Sequence, residues 1–212
     1  MGSKGRSAML VIASFALAFG SSAAALAQER MGPLPARELS EQQGKALSEF
    51  VAARGQPTGP WIVMLRSPEV MSRARALSDY LRYDSILPGW LRELVILMTA
   101  RQWSQGYEWN AHYRIAMEEG LSADIARAIA EGRRPESMVD EEALLYEFCM
   151  ELQRNQSVSD ATYARMLERF GEQGIVETVS LMGYYTMISM LLNTARTPLP
   201  AGAKPAIPPF PR

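Results

Sequence analysis

The chain has 212 residues, 48% of them hydrophobic, and its 22 basic and 23 acidic side chains give a net charge of −1. This balance excludes a basic field for nucleic acid, because such binding needs clustered Lys and Arg to neutralise phosphates. With a single cysteine, Cys149, the chain cannot form an intramolecular disulfide.

Residues 1–27 have the pattern of a signal peptide. Lys4 and Arg6 precede an apolar run at residues 8–19, and a flank of small residues ends at Ala27. The run is too short to span roughly 30 Å of hydrocarbon. We therefore expect cleavage near Ala27, an exported chain that is periplasmic or secreted, and no stable membrane insertion. Removing the two cations lowers the net charge from −1 to −3.

The segment 28–197 is predicted to be an all-α, single-domain helical bundle, because apolar residues recur there at three- and four-residue spacing. Ser40, Ser67 and Ser122 are predicted N-caps, and Gly120 is predicted to adopt a left-handed backbone. The predicted helices cover, approximately and in chain order, residues 40–54, 67–84, 90–102, 108–119, 122–132, 140–153, 160–170 and 175–193.

The predicted helices at 90–102 and 175–193 are the most apolar. Polar residues, among them Glu177, interrupt the second, which favours a core or subunit-interface helix over a membrane span. Together the two helices exceed what one small bundle normally hides, so we expect a homo-oligomer. The tail at 198–212 holds six prolines and cannot be helical. It is predicted to be either a disordered end or an extended arm on a neighbouring subunit.

Cys149 is predicted to be a buried structural thiol. It lies beside Leu145 and Leu152 on an apolar helical stripe. A free cysteine in such surroundings packs as a small hydrophobic side chain rather than acting as a nucleophile.

His112 is the only histidine, and imidazole is the side chain best suited to acid–base work at neutral pH. Glu108 stands four residues earlier, which on a helix places both side chains on one face. Glu93 is a third candidate, because a charge on an otherwise apolar helix is costly unless it is paired or lies near the helix start. An ordinary surface pair has the same spacing as Glu108 and His112, so both interpretations stay open at this point.

Four aromatic residues surround the pair in sequence, and they could form either the wall of a small-molecule pocket or plain core. They are Trp103, Tyr107, Trp109 and Tyr113.

The stretch Leu87-Pro88-Gly89-Trp90-Leu91-Arg92-Glu93-Leu94-Val95-Ile96-Leu97, then Tyr107-Glu108-Trp109-Asn110-Ala111-His112, then Gly120-Leu121-Ser122, resembles the core motif of the carboxymuconolactone decarboxylase family. The likeness extends over about residues 60–195. It implies a helical bundle of the alkylhydroperoxidase-D-like type that assembles as a trimer or hexamer.

In the alkylhydroperoxidase-D branch, two cysteines stand where this chain has Gln105 and Glu108. Thiol peroxidase chemistry is therefore not carried over, because it needs a reactive thiolate and a resolving thiol. The decarboxylase branch resembles the chain better, since a glutamate four residues before the histidine is familiar there. It implies His112 as proton donor or acceptor, Glu108 as its orienting partner and Glu93 as a second acid or relay, with no metal or organic cofactor.

The resemblance predicts a carboxy-lyase or isomerase acting on a small lactone or carbonyl acid, as in the degradation of aromatic compounds.

Three alternatives remain open. The first is a non-catalytic small-molecule binding or structural oligomer, and the second is a metalloenzyme that uses Glu93, Glu108 and His112. The third is a peroxiredoxin-type activity that depends on Cys149.

In a plain antiparallel hairpin, Glu93 and His112 would lie roughly 9 Å apart along the axis. Direct contact between them therefore requires a bend at residues 104–106, a bridging water, or a Glu93 from another subunit.

Overall fold

The structure, a computed structural model, describes residues 28–203 and residue 207. The predicted signal peptide at 1–27 and most of the proline-rich tail after residue 203 lie outside the described residues. A π-helical turn, Tyr80–Asp84, directly follows the third helix. The helices are α1 Glu41–Arg54, α2 Pro60–Met64, α3 Pro68–Asp79, α4 Gly89–Gln102, α5 Gly106–Glu118, α6 Ala123–Ala130, α7 Asp140–Asn155 and α8 Asp160–Ala195.

The part of the chain that the structure describes contains helices and no strand, so the all-α prediction is confirmed. Ser40 caps α1 by accepting a hydrogen bond from the backbone N–H of Gln43, and Ser122 caps α6. Ser67 occupies the predicted N-cap position of α3, although its side chain makes no cap bond. Pro68 follows at the first helical position, as predicted, because its fixed φ suits that position. Gly120 has the expected positive φ of 94°.

The two helices predicted at 160–170 and 175–193 form one element, α8, with a kink between them. Gly171 has non-helical backbone angles, φ 66° and ψ 179°, which only glycine adopts easily. By length and composition, α8 could cross a membrane, but half of its most apolar 18-residue window is buried inside the bundle. This burial is typical of a core helix.

Helix α4 is the centre of the core. It packs against α5, α6, α7 and α8, which explains why its sequence is apolar on nearly every side. Leu94, Val95 and Leu97 are completely buried. Cys149 of α7 is also completely buried in this core, and burial raises the pKa of its thiol to about 12. The predicted structural role of Cys149 agrees with this position.

The described part of the tail lies against its own chain. Residues 198–203 contain no helix, and Ile207 is buried in the hydrophobic core.

Candidate functional site

His112 of α5 lies between two glutamates inside the bundle. Its Nδ1 is 2.8 Å from Oε2 of Glu93 on α4, and its Nε2 is 3.6 Å from Oε2 of Glu108, one turn earlier on α5. All three residues are at most 5% exposed. The structure therefore brings together the three residues that the sequence singled out for acid–base chemistry.

The contact between Glu93 and His112 depends on how the chain reverses between α4 and α5. Ser104 adopts a left-handed conformation, φ 47°, and the backbone N–H of Gln105 closes the end of α4 on the carbonyl of Ala100 at 2.8 Å. The Gln105 side chain then accepts from the N–H of Tyr107 and so begins α5. This bend brings Glu93 and His112 into direct contact within one chain, without a bridging water or a second subunit.

Glu93 and Glu108 contact opposite sides of the imidazole ring. If Nδ1–H donates to Glu93, the neutral ring presents an unprotonated Nε2 towards Glu108. Burial raises the pKa of Glu108 above its ordinary value, and Glu93 adds to this, although His112 and a nearby arginine, Arg82, oppose it. A raised pKa favours a protonated Glu108 that can share its proton with Nε2.

A cavity of about 180 Å³ opens beside this group. It is smaller than the roughly 300–1,000 Å³ of pockets for drug-sized ligands, so it suits a small molecule. Gly59 has a φ of 52°, and a Cβ at this position would overlap the ring of Tyr107. The lining residues are Arg54, Thr58, Pro60, Trp61, Ser78, Arg82, Tyr107, Glu108, Ala111, His112, Ile115, Tyr184, Tyr185 and Ile188.

Of the four aromatic residues predicted as pocket wall, only Tyr107 lines this cavity. Trp109 is 1% exposed and belongs to the core, whereas Trp103 and Tyr113 lie at the surface. The wall predicted from these three residues was therefore wrong. For Trp109 and Tyr113 the reason is helical geometry, because these side chains leave α5 in other directions than His112, whereas Trp103 lies at the end of α4.

The aromatic wall is instead supplied by residues distant in sequence. Tyr185 of α8 meets the His112 ring edge-on, with ring centroids 4.9 Å apart. Tyr184 on the same helix and Trp61 of α2 complete the wall. Burial raises the pKa of Tyr185 well above its ordinary value, so this hydroxyl stays neutral beside the imidazole.

Arg82 is the functional candidate that the sequence analysis missed. It lies on the π-helical turn and lines the cavity together with Glu108 and His112. No carboxylate of the described residues is within ion-pair distance of its guanidinium, whereas the other arginine of the cavity, Arg54, is paired with Asp79. Burial lowers the pKa of Arg82, but nearby groups, Tyr185 foremost, outweigh it and hold this pKa above its ordinary value. The cavity therefore contains a cation that is available to an anionic ligand.

The three residues of the metalloenzyme alternative do not converge on one point. Glu93 meets Nδ1 and Glu108 faces Nε2, so the carboxylates lie on opposite sides of the ring rather than around a common centre. Among residues 28–203 and 207, no group of three His, Cys, Asp or Glu is arranged to hold a metal ion. This geometry supports an oriented base better than a metal site.

Glu108→Gln is expected to change how stability depends on pH. The pKa of folded Glu108 is raised above 4.5, so the folded chain holds a proton there in a pH range where the unfolded chain has released it. The free energy of unfolding therefore falls as pH rises through this range. Glutamine does not ionise, so the variant should gain stability relative to the native chain above this range and gain nothing below about pH 4. Urea denaturation at several pH values measures the difference, and a difference independent of pH would contradict the expectation.

Comparison with known proteins identifies the segment that holds this site. Residues 68–144, which contain Arg82, Glu93, Glu108 and His112, match the family model named "Carboxymuconolactone decarboxylase family". Over this segment the chain is similar to the carboxymuconolactone decarboxylase family. The resemblance predicted from the sequence is thereby confirmed. A comparison with curated proteins found no match.

Solved structures of alkylhydroperoxidase-D-like proteins share the fold of this carboxymuconolactone decarboxylase-like chain. An uncharacterized peroxidase-related protein from Silicibacter sp. TM1040 is 14% identical with a TM-score of 0.67, and covers 82% of this chain and 93% of its own. The alkylhydroperoxidase AhpD core protein from Ralstonia eutropha JMP134 is 13% identical with a TM-score of 0.57, over 78% and 89%. A variant of the debrominase Bmp8 in complex with 2,3,4-tribromopyrrole is 11% identical with a TM-score of 0.62, over 82% and 94%. At these identities the likeness concerns the fold alone.

Proposed function

We propose that the chain is a cofactor-free enzyme that decarboxylates or isomerises a small lactone or carbonyl acid by moving a proton at His112 and Glu108. The observation that carries this proposal is the buried contact of 2.8 Å between Glu93 and His112 Nδ1, which leaves Nε2 facing Glu108 beside a small cavity. An imidazole oriented by one carboxylate and coupled to a second is a recurrent arrangement for general acid–base catalysis.

In the proposed decarboxylation, the bond between the substrate carbon and its carboxylate breaks and carbon dioxide leaves. The electron pair moves into the conjugated carbonyl, whose oxygen becomes negatively charged near Arg82. A fixed cation in a partly dry cavity stabilises such charge more than water does. The carbon then takes a proton from Glu108, and His112 returns a proton from water to Glu108. In an isomerisation, the same groups would remove a proton and return it at another carbon.

Two features support a small acidic substrate. The cavity of about 180 Å³ is lined by Arg82, which has no ion-pair partner among the described residues, so a substrate anion would complete its charge pairing. A protein with a similar fold, the debrominase Bmp8, binds a small ring compound, 2,3,4-tribromopyrrole.

The test is a screen of small lactones and conjugated carbonyl acids in D₂O, followed by NMR. A decarboxylation through Glu108 and His112 should place one solvent deuterium on the carbon that lost carbon dioxide, and an isomerisation should place it on the new C–H. Turnover should not require a thiol, and Cys149→Ser should retain it. Saturable binding without turnover across the panel would favour the non-catalytic alternative, and turnover that needs Cys149 would favour the peroxiredoxin-type alternative.

We also propose that the chain forms a homo-oligomer through the exposed face of α8. Val176, Val179, Met187 and Met190 follow one helical stripe and are 39–63% exposed. A Cβ added to Gly183, in the middle of the stripe, meets no atom within 4 Å. An exposed apolar stripe with a small residue at its centre suits the close approach of a second copy.

The oligomer proposal predicts that Val176→Glu with Met190→Glu lowers the molar mass measured by light scattering after gel filtration. The matched control is Leu167→Glu, because Leu167 is 41% exposed on the same helix but outside the stripe. A monomeric native chain, or an unchanged mass in the double variant, would contradict the proposal.

A further inference from the structure

We propose that a second cavity, between α4, α6 and α7, is a binding site for a small carboxylic acid with an apolar or aromatic body. The cavity has a volume of about 420 Å³ and shares no lining residue with the cavity at His112. The volume lies in the roughly 300–1,000 Å³ range of small-molecule pockets. The proposed site does not depend on the proposed catalytic function.

The charge of this second cavity is entirely basic. Arg101, Arg133 and Arg154 line it, and no Asp or Glu does. Arg101 is 5% exposed, and its Nε donates to the carbonyl of Ala130 at 2.8 Å. Arg154 forms no ion pair within the described chain, and Arg133 is paired with Glu131, which does not line the cavity. Arg101 is buried, whereas Arg133 and Arg154 are exposed to solvent. A group of guanidiniums without a lining acid favours an anion, and a carboxylate matches guanidinium geometry well.

Tyr146 adds a hydrogen-bond donor to the arginines of the cavity. Its side chain lines the cavity and the residue is only 9% exposed, yet its hydroxyl has no hydrogen-bond partner among the described residues. The hydroxyl itself is not fully buried, so it is accessible to a polar group that enters the cavity. Burial raises the pKa of Tyr146, against the opposing effect of Arg154 and Arg134, so the hydroxyl remains a donor. A ligand oxygen between Tyr146 and Arg154 would accept a hydrogen bond from each of them.

The remaining wall of the cavity fixes the other end of the ligand. Met98 and Ile129 are 3% and 4% exposed, and Met150 is packed against the same core. Thioethers adapt to irregular shapes and make favourable contacts with aromatic rings. The expected ligand is therefore an arylalkyl carboxylic acid, with its ring between the methionines and its carboxylate at the arginines.

The experiment is calorimetric titration of the full chain with 3-phenylpropionate and with the uncharged 3-phenylpropionamide. The carboxylate should bind saturably, and the amide should bind about tenfold more weakly, because a charge-assisted contact is lost. Arg154→Gln should weaken carboxylate binding about tenfold. Tyr146→Phe, which removes one hydroxyl and preserves the packing, should weaken it by about fivefold.

Two control variants show whether the carboxylate binds at this cavity. Arg114→Gln removes an exposed arginine of α5 that is paired with Glu118, and it should leave binding unchanged. His112→Ala should also leave binding unchanged, because His112 does not line this cavity. Equal affinity for acid and amide, undiminished binding in Arg154→Gln, absence of saturable binding, or loss of binding in His112→Ala would each overturn the proposal.

Discussion

His112→Ala is expected to lower turnover by about 10³-fold, within the range that general acid–base catalysis usually contributes. The substitution removes the imidazole that connects Glu93 to Glu108 and leaves a space beside the cavity. Steady-state kinetics on any substrate from the screen would measure the loss. Added imidazole should restore part of the rate, because a small free base can enter the vacated space.

The matched control for His112→Ala is Tyr113→Ala on the same helix. Tyr113 is 38% exposed and does not line the cavity, so turnover should stay within about twofold of the native rate. Native turnover in His112→Ala, with circular dichroism showing an intact fold, would contradict the assignment of His112.

Glu93→Ala is expected to lower the free energy of unfolding by about 1–3 kcal/mol, the cost of leaving the buried Nδ1–H of His112 without its hydrogen-bond acceptor. The Glu93 carboxylate is 2.8 Å from His112 Nδ1, and both side chains are 6% exposed. The substitution also leaves a cavity against the core. Urea denaturation at neutral pH measures the change.

The control for Glu93→Ala is Glu118→Ala, which breaks the exposed pair between Glu118 and Arg114 on α5. Solvent screens this pair, so the expected loss is under about 1 kcal/mol. If the two variants lost the same small amount, Glu93 would not be a buried partner of His112.

The sequence predicted the helices other than α2, a short helix that it missed, and it predicted the three polar residues of the site. The helical bundle follows from the three- and four-residue spacing of apolar residues, which α4 and α8 confirm by burying them. Glu108 and His112 lie one turn apart on a single helix, and local geometry determines that spacing. Glu93 was a candidate because it is a charge on an otherwise apolar helix, and its place opposite Glu108 depends on the left-handed Ser104 in the turn before α5.

The rest of the cavity depends on packing between distant elements, which spacing along the chain does not encode. Tyr184 and Tyr185 are more than 70 residues after His112 and line the cavity only because α8 packs against α4. Arg82 faces the cavity because α3 widens into a π-helical turn, a local change of pitch without a sequence signature. Because the cavity wall is formed by residues distant in sequence, the aromatic residues closest to His112 along the chain were poor candidates for it.

The most direct test of the central arrangement uses the fact that His112 is the only histidine in the chain. A long-range ¹H–¹⁵N NMR spectrum of the untagged protein labelled with ¹⁵N-histidine therefore reports a single imidazole ring. We expect a slowly exchanging proton on Nδ1 that is lost in Glu93→Gln, and an Nε2 signal that shifts in Glu108→Gln. Two ring nitrogens averaged by rapid exchange, as in a solvated imidazole, and insensitive to both substitutions would contradict the buried arrangement.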